Sequence, residues 1–361
     1  MRSPDLKRQC IKELSLDEIE HYVLDAGEAK YRAEQIFRQI YEQRKETFAD
    51  LSIIPASLRQ KLNGDFSFSS IKSYETQQSV DGTIKFLFDL ENGNSVESVL
   101  IPLFDENEDD LKRLTLCVSS QVGCALDCAF CATGKLKFTR NLSAAEIVEQ
   151  ILFVEKHIST KITNVVFMGM GEPLHNFENV VKAVEILTHP KSAVISRKRI
   201  TISTSGIVPK IRLLAELKRS IKLAISLHAT TDKLRNQLMP VNNKWNISEL
   251  RESIEYYYRL TKIPITYEYI LFEGMNDSME DVKRLARYVR SVPSKVNIIP
   301  FHDISFTLPQ GFAANLVPAD IGRIEKFVGQ LRNEGVNAFV RTSSGFDIDA
   351  ACGQLAFSKR N

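Results

Sequence analysis

Apolar positions in the first quarter of the chain recur at helical spacing. Residues 16–26 and 29–43 both show it, and Ile36, Phe37, Ile40 and Tyr41 would share one face. A third helix is predicted after Pro55, with Ser52 as a possible cap. The period then changes. Residues 79–90 read as a turn feeding a strand, Glu91-Asn-Gly-Asn94 is a hairpin signal, and 96–101 forms the return strand. From Leu111 onward, β-rich runs at 114–118, 164–168, 199–203, 221–227, 265–271, 296–300 and 338–341 alternate with helical patterns such as 143–157, 179–187 and 280–289. Alternation of this kind predicts an α/β fold with a parallel sheet of βα units. About six units are too few for a closed eight-stranded barrel. The expected architecture is therefore a partial (βα)6 barrel at 93–361 with a small helical accessory domain at 1–92. Active sites in such folds gather at the carboxyl ends of the strands.

Composition adds bounds. The 361 residues are 43% hydrophobic and 25% charged, the balance of an ordinary globular protein. A net charge of +2 does not by itself imply nucleic acid. Locally, the runs at 134–140 and 197–199 are basic and that at 105–110 is acidic. The acidic run reads as a solvated face, whereas the basic run at 134–140 could touch phosphates beside an active-site mouth. The start, MRSPDLKRQC, lacks the apolar run of a signal peptide, and no apolar stretch is long enough to cross a bilayer. A reducing cytoplasmic setting is expected, since six cysteines in a chain of this size do not make a secreted disulfide scaffold.

The cysteines carry the sharper signal. Cys124, Cys128 and Cys131 are spaced C-x3-C-x2-C, with Phe130 before the last. Three thiolates leave one iron of a [4Fe–4S] cluster open to a further ligand. Zinc is the plainer alternative, but structural zinc prefers four ligands in paired knuckles, and no second C-x2-C pair exists. The motif resembles that of the radical S-adenosylmethionine (SAM) enzymes, in which SAM chelates the open iron. Cys117 alone would read as a small buried hydrophobe. Cys352, between Ala351 and Gly353 in a segment that looks mobile, is harder to place in a core, and Cys10 reads as a bystander.

Longer stretches sharpen the likeness. Residues 117–134, Met168-Gly-Met-Gly-Glu-Pro173, Ser226-Leu-His-Ala229 and Ile348-Asp-Ala-Ala-Cys-Gly-Gln-Leu355 resemble the RlmN/Cfr family of RNA methyltransferases, and so does Tyr31-Arg-Ala-Glu-Gln-Ile-Phe-Arg38. The resemblance implies a two-SAM reaction. One SAM methylates the thiol of Cys352; a second, on the cluster, yields a 5′-deoxyadenosyl radical that takes hydrogen from that methyl group. The methylene radical adds to an adenine carbon of RNA. Cys117 then attacks the sulfur of the adduct, leaving a Cys117–Cys352 disulfide for reduction.

By the same resemblance, Glu97 accepts a proton, and Gly171, Glu172, Ser203, Ser226, Leu227 and His228 contact SAM. His302 stands where the family usually has an asparagine SAM contact, and the stretch at 341–347 lacks the basic residue often found before its glycine. Pro173, and Val122-Gly-Cys-Ala-Leu in place of a Cys-Gly-Cys sequence, favour the branch that methylates adenine carbon 2 over the carbon-8 branch. The expected partners are 23S ribosomal RNA, transfer RNA and an electron donor such as a flavodoxin system, and the expected state is a monomer. A non-catalytic, metal-containing RNA-binding protein is the rival from another class.

Overall fold

The computed structural model describes residues 8–104, 111–341 and 344–356. The acidic run at 105–110 lies outside them. Helices α1 (Leu16–Asp25), α2 (Tyr31–Tyr41) and α3 (Ala56–Asp65) come first. Ser15 starts α1 with a capping box: its hydroxyl accepts from the Glu18 N–H, and the Glu18 carboxylate accepts from the Ser15 N–H. In α2 the predicted face is the buried one, with Ile36, Phe37, Ile40 and Tyr41 all in the core. Ser52 does not cap α3. The N-cap is Pro55, which leaves Ser52 upstream of the helix's free N–H groups.

Strands β1 (Ile71–Gln78), β2 (Ile84–Leu90), β3 (Ser95–Phe104) and β4 (Leu111–Cys117) pair antiparallel in succession. The motif loop follows, with β5 (Gln121–Val122), α4 (Ala132–Lys135) and β6 (Arg140–Asn141). Thereafter α5 (Ala144–Ile158) leads to β7 (Asn164–Phe167), α6 (Phe177–Thr188) to β8 (Ile200–Thr204), and α7 (Val208–Glu216) to β9 (Lys222–Ser226). Helices α8 (Asp232–Leu238) and α9 (Ile247–Thr261) precede β10 (Ile265–Leu271). Then α10 (Met279–Val289) precedes β11 (Ser294–Pro300), and α11 (Ile321–Asn333) precedes β12 (Ala338–Val340).

From β4 through β7, β8, β9, β10 and β11 to β12, every neighbouring pair is parallel, and spatial order follows chain order. A sheet wound in one direction curls towards a barrel, and β12 and β1 remain as its two edges. The barrel is therefore open, as expected. The boundary expected near residue 92 falls in the β2–β3 turn, within one continuous sheet. A buried ion pair ties the segment before α1 to α5 and, through it, to the start of β1. Lys12 Nζ lies 2.6 Å from Glu149 Oε1, and Glu149 Oε2 accepts from Ser70 N, Ser70 Oγ and Ile71 N. Such a charge is tolerable in a core because it is paired with a cation and each carboxylate oxygen has at least one donor.

Candidate active site

The carboxyl ends of the parallel strands converge on one cavity of about 190 Å³. Cys117 ends β4, Ser203 and Thr204 end β8, and Ser226 ends β9; all line it. Glu268 and Ile270 of β10, Ile299 of β11 and Arg341, just past β12, line it as well. Cys124, Cys128 and Cys131 enter from the loop after β4, and residues 350–353 line the cavity beside them.

Two glycines shape the motif loops. Gly123 has φ +71°, and a Cβ there would lie 1.6 Å from the Lys137 carbonyl oxygen. Gly171 has φ +94°, and a Cβ there would lie 2.5 Å from Gln121 Cβ. Only glycine permits both the left-handed backbone and the close approach. The Glu172 N–H, next along, donates to Gln121 Oε1 at 2.8 Å. The Glu172 carboxylate is held in turn: Oε1 accepts from Leu174 N at 2.9 Å, and Oε2 accepts from Ser205 N at 2.8 Å and Ser205 Oγ at 2.7 Å.

His228 adopts φ +55° and packs edge-on against Phe130, ring centroids 4.7 Å apart. Its Nδ1 accepts from the Ile270 N–H at 3.0 Å, so the ring's own hydrogen sits on Nε2. Burial pushes this imidazole down to about 3, with Arg235 adding to the effect, and it stays neutral at pH 7. His302 lines the same cavity, and burial lowers its basicity too.

The segment around Cys352, which looked mobile in the sequence, is packed down. Ala350, Ala351 and Leu355 are buried, the Ala132 N–H donates to the Gly353 carbonyl at 2.7 Å, and Thr133 Oγ1 donates to the Leu355 carbonyl at 2.7 Å. The tail thus lies directly on the cysteine loop. Cys117 is buried; desolvation pushes its thiol up to about 12, Arg341 opposing this and Cys352 adding to it. All six cysteines are free thiols here, so no disulfide joins Cys117 to Cys352.

Two expected site residues stand apart from the lining. Leu227 is fully buried, and its main chain pairs with Glu268 and accepts from Arg235 Nε. Glu97 is buried in β3 beside Lys85 and shares a strand face with Val99 and Ile101, which do line the cavity. In the basic run, Lys135 pairs with Asp127 and Arg140 with Glu146. Their charges are met within the protein, whereas Lys137 has no such ion pair among the described residues. Cys10 is buried rather than displayed on a charged terminus: it bridges to Ser67.

Sequence reasoning missed four residues. Arg235, wholly buried, donates to the carbonyls of Leu227, Ser205 and Ser226 and to Asn242 Oδ1. Ser205 fixes Glu172, while Glu268 and Arg341 face each other across the cavity wall. An arginine within a polar amphipathic helix carries no sequence signal that marks it as buried. Arg341 had one, its place at the end of the last predicted strand.

An open βα barrel with three cysteines on the loop after its first parallel strand defines a radical SAM enzyme. The radical SAM superfamily model matches residues 118–288, and the ribosomal RNA large subunit methyltransferase N-terminal domain model matches residues 11–67. A dual-specificity RNA methyltransferase RlmN from Geotalea uraniireducens is 43% identical over 97% of both chains. Another from Geobacter sulfurreducens is 42% identical over 96% of this chain and 91% of its own. The crystal structure of a radical SAM methyltransferase from Sphaerobacter thermophilus superposes with a TM-score of 0.86 at 38% identity, covering 96% of this chain and 99% of that one. The chain belongs to the RlmN family of radical SAM RNA methyltransferases.

Membership makes a [4Fe–4S] cluster and SAM its cofactors. The residues present suit them. The three motif cysteines line a cavity whose many apolar side chains are interspersed with Gly171, Glu172, Ser203, Ser226 and His228, which suits a cluster held by three thiolates plus a chelating molecule with polar and apolar parts. Among the described residues, no helix is long and apolar enough to cross a membrane.

Proposed function

We propose that this enzyme methylates carbon 2 of an adenosine in 23S ribosomal RNA and in transfer RNA. One observation carries the reading: Cys117 and Cys352, two thiols beyond the motif cysteines, open onto the same cavity as Cys124, Cys128 and Cys131. Ordinary methyl transfer needs no such pair, whereas a carbon without a nucleophilic lone pair requires a carrier thiol and a means of releasing it.

When bound, the cluster and SAM supply the radical and the methyl group. The chain's residues do the rest. Cys124, Cys128 and Cys131 would hold the cluster. Glu172, aimed by Ser205, offers a carboxylate to the SAM amine, and Gly171, Ser203, Ser226 and neutral His228 line the space beside it. His302 offers a ring nitrogen in place of the family's usual amide. Leu227 contributes main chain to the same strand end. Cys352 carries the new carbon. Attack by the Cys117 thiolate on the Cys352 sulfur forms the S–S bond as the bond from sulfur to the transferred methylene carbon breaks; that carbon keeps the electron pair and takes up a proton to become the methyl group, and a dithiol later reduces the disulfide. Glu97 takes the proton lost by the adduct. The 1–92 domain supplies RNA contacts, an electron donor of the flavodoxin type reduces the cluster, and the enzyme works as a cytoplasmic monomer.

Nucleoside analysis of RNA from cells with and without the gene tests this. The expected result is 2-methyladenosine lost in both RNA classes without the gene. Loss of 8-methyladenosine instead, or no change, overturns it. The Cys117→Ala variant should be isolated with RNA covalently attached; a clean preparation from RNA-containing cells contradicts the release role.

A further inference from the structure

Both thiol steps pass through anionic sulfur, since the thiolate is the nucleophile in each. The cavity is poorly suited to a further negative charge. Its lining contains two buried carboxylates, Glu172 and Glu268, and a buried thiolate without compensation is costly. Among the described lining residues there is one lysine or arginine, and it is Arg341.

Its placement is built. The Arg341 N–H donates to the Ile298 carbonyl at 2.8 Å, extending the β11–β12 pairing to the cavity edge. Its Nη1 lies 3.3 Å from Met168 Sδ and 3.7 Å from Glu268 Oε2. Glu268 is anchored in turn, its Oε1 accepting from Asn297 Nδ2 at 3.0 Å, while its buried Oε2 has no hydrogen-bond donor. The carboxylate is thus fixed at one oxygen and faces the guanidinium with the other. Glu268 restrains Arg341, which lines the same cavity as Cys117 and Cys352. In a low-dielectric site a cation acts more strongly on anions lining the same cavity than it would in water.

We propose that Arg341, restrained by Glu268, is a positioning residue for the thiol chemistry, presenting the cavity's cation to the anionic sulfurs of Cys117 and Cys352. This rests on the functional reading above. It assigns Arg341 to the protein's own sulfurs rather than to RNA phosphate.

The test compares wild-type enzyme with Arg341→Gln, Arg341→Lys and Glu268→Gln. Three quantities are measured: S-methylation of Cys352 by intact-protein mass spectrometry, iodoacetamide labelling rates of Cys117 and Cys352 in enzyme without SAM, and affinity for a 23S RNA fragment. In Arg341→Gln, Cys352 methylation and thiol labelling should each fall at least tenfold, with RNA affinity within about twofold of wild type. Arg341→Lys should recover most of both, which a purely structural role would not allow. Glu268→Gln should give an intermediate loss, and it keeps the test open should Arg341→Gln fail to fold. Weakened RNA binding with unchanged methylation and labelling would make Arg341 a phosphate contact and overturn the proposal. Wild-type enzyme that never methylates Cys352 would instead overturn the functional reading beneath it.

Discussion

Lys85 and Glu97 face each other within the sheet, Nζ to Oε1 at 3.3 Å, and both side chains are almost wholly shut off from solvent. They sit on adjacent strands, β2 and β3, whose register pairs Lys85 with Val99 and Leu87 with Glu97. Glu97 therefore shares a sheet face with Lys85 on the neighbouring strand and with the cavity-lining Val99 and Ile101. A carboxylate held this way is oriented, and its position depends on its partner.

Removing one member of a buried ion pair typically costs about 3–5 kcal/mol. Lys85→Met should lower the unfolding midpoint accordingly. The double variant Lys85→Met/Glu97→Gln should regain most of that stability and still make no methyladenosine. Thermal unfolding run beside nucleoside analysis checks both halves. A double variant that methylates RNA removes Glu97 from the reaction.

Gly171 is the second position where chemistry depends on backbone. Alanine there would be strained at φ +94° and would collide with Gln121, 2.5 Å from the new Cβ. Such strain costs about 1–3 kcal/mol. The collision also displaces the side chain that receives the Glu172 N–H. Gly171→Ala should thus lose SAM affinity beyond its loss of stability, measurable by SAM titration and urea unfolding of the same preparation.

The tail carrying Cys352 is fastened by carboxylates. Asp347 accepts from Ser79 Oγ and the Val80 N–H, and Asp81 accepts from the Gly345 N–H at 2.8 Å. The Ser79 hydrogen bond holds Asp347 below the usual carboxylate range; at Asp81 partial burial pushes the other way, but bonds from Gly345 and Thr83 outweigh it. A depressed pKa in the folded state means stabilisation that is complete above the unfolded value, about 3.9, and lost as pH falls through the folded value. The fastening should hold at neutral pH and loosen only below about pH 4. Protection of the Val80 amide from exchange, taken relative to its intrinsic rate at each pH, should show this, and Asp347→Asn should abolish the pH dependence of that protection.

The parallel strands were legible because buried βα strands read as continuous apolar runs, and the cysteine loop because ligand spacing is set along the chain. Strand β1 was not, since Ile71–Gln78 lies at a sheet edge with most side chains exposed and shows little apolar alternation. Cys352 looked mobile because small residues suggest a flexible segment. Here they serve close packing: a Cβ at Gly353 would lie 3.0 Å from the Phe130 carbonyl oxygen. Glu97, Glu268 and Arg341 acquire meaning from partners far away in the chain, which no local pattern records.

Arg235 is the fullest case of that kind. From within α8 its guanidinium donates to Ser205 O at 2.6 Å, Ser226 O at 3.0 Å, Leu227 O at 3.1 Å and Asn242 Oδ1 at 2.9 Å. One side chain thereby ties the ends of β8 and β9, where Ser205, Ser226 and His228 meet the cavity. Burial lowers its basicity to about 10, which leaves it charged at neutral pH. Arg235→Met would strand several buried acceptors, each costing about 1–3 kcal/mol. Arg235→Lys cannot span the same fork with one ammonium. Both variants should lose at least about 3 kcal/mol of stability and should bind SAM more weakly, although Arg235 itself is absent from the cavity lining. Calorimetric SAM titration at a temperature where each variant remains folded separates the two effects. Unchanged SAM affinity in a destabilised Arg235→Lys would show that the strand ends hold their places without this tie.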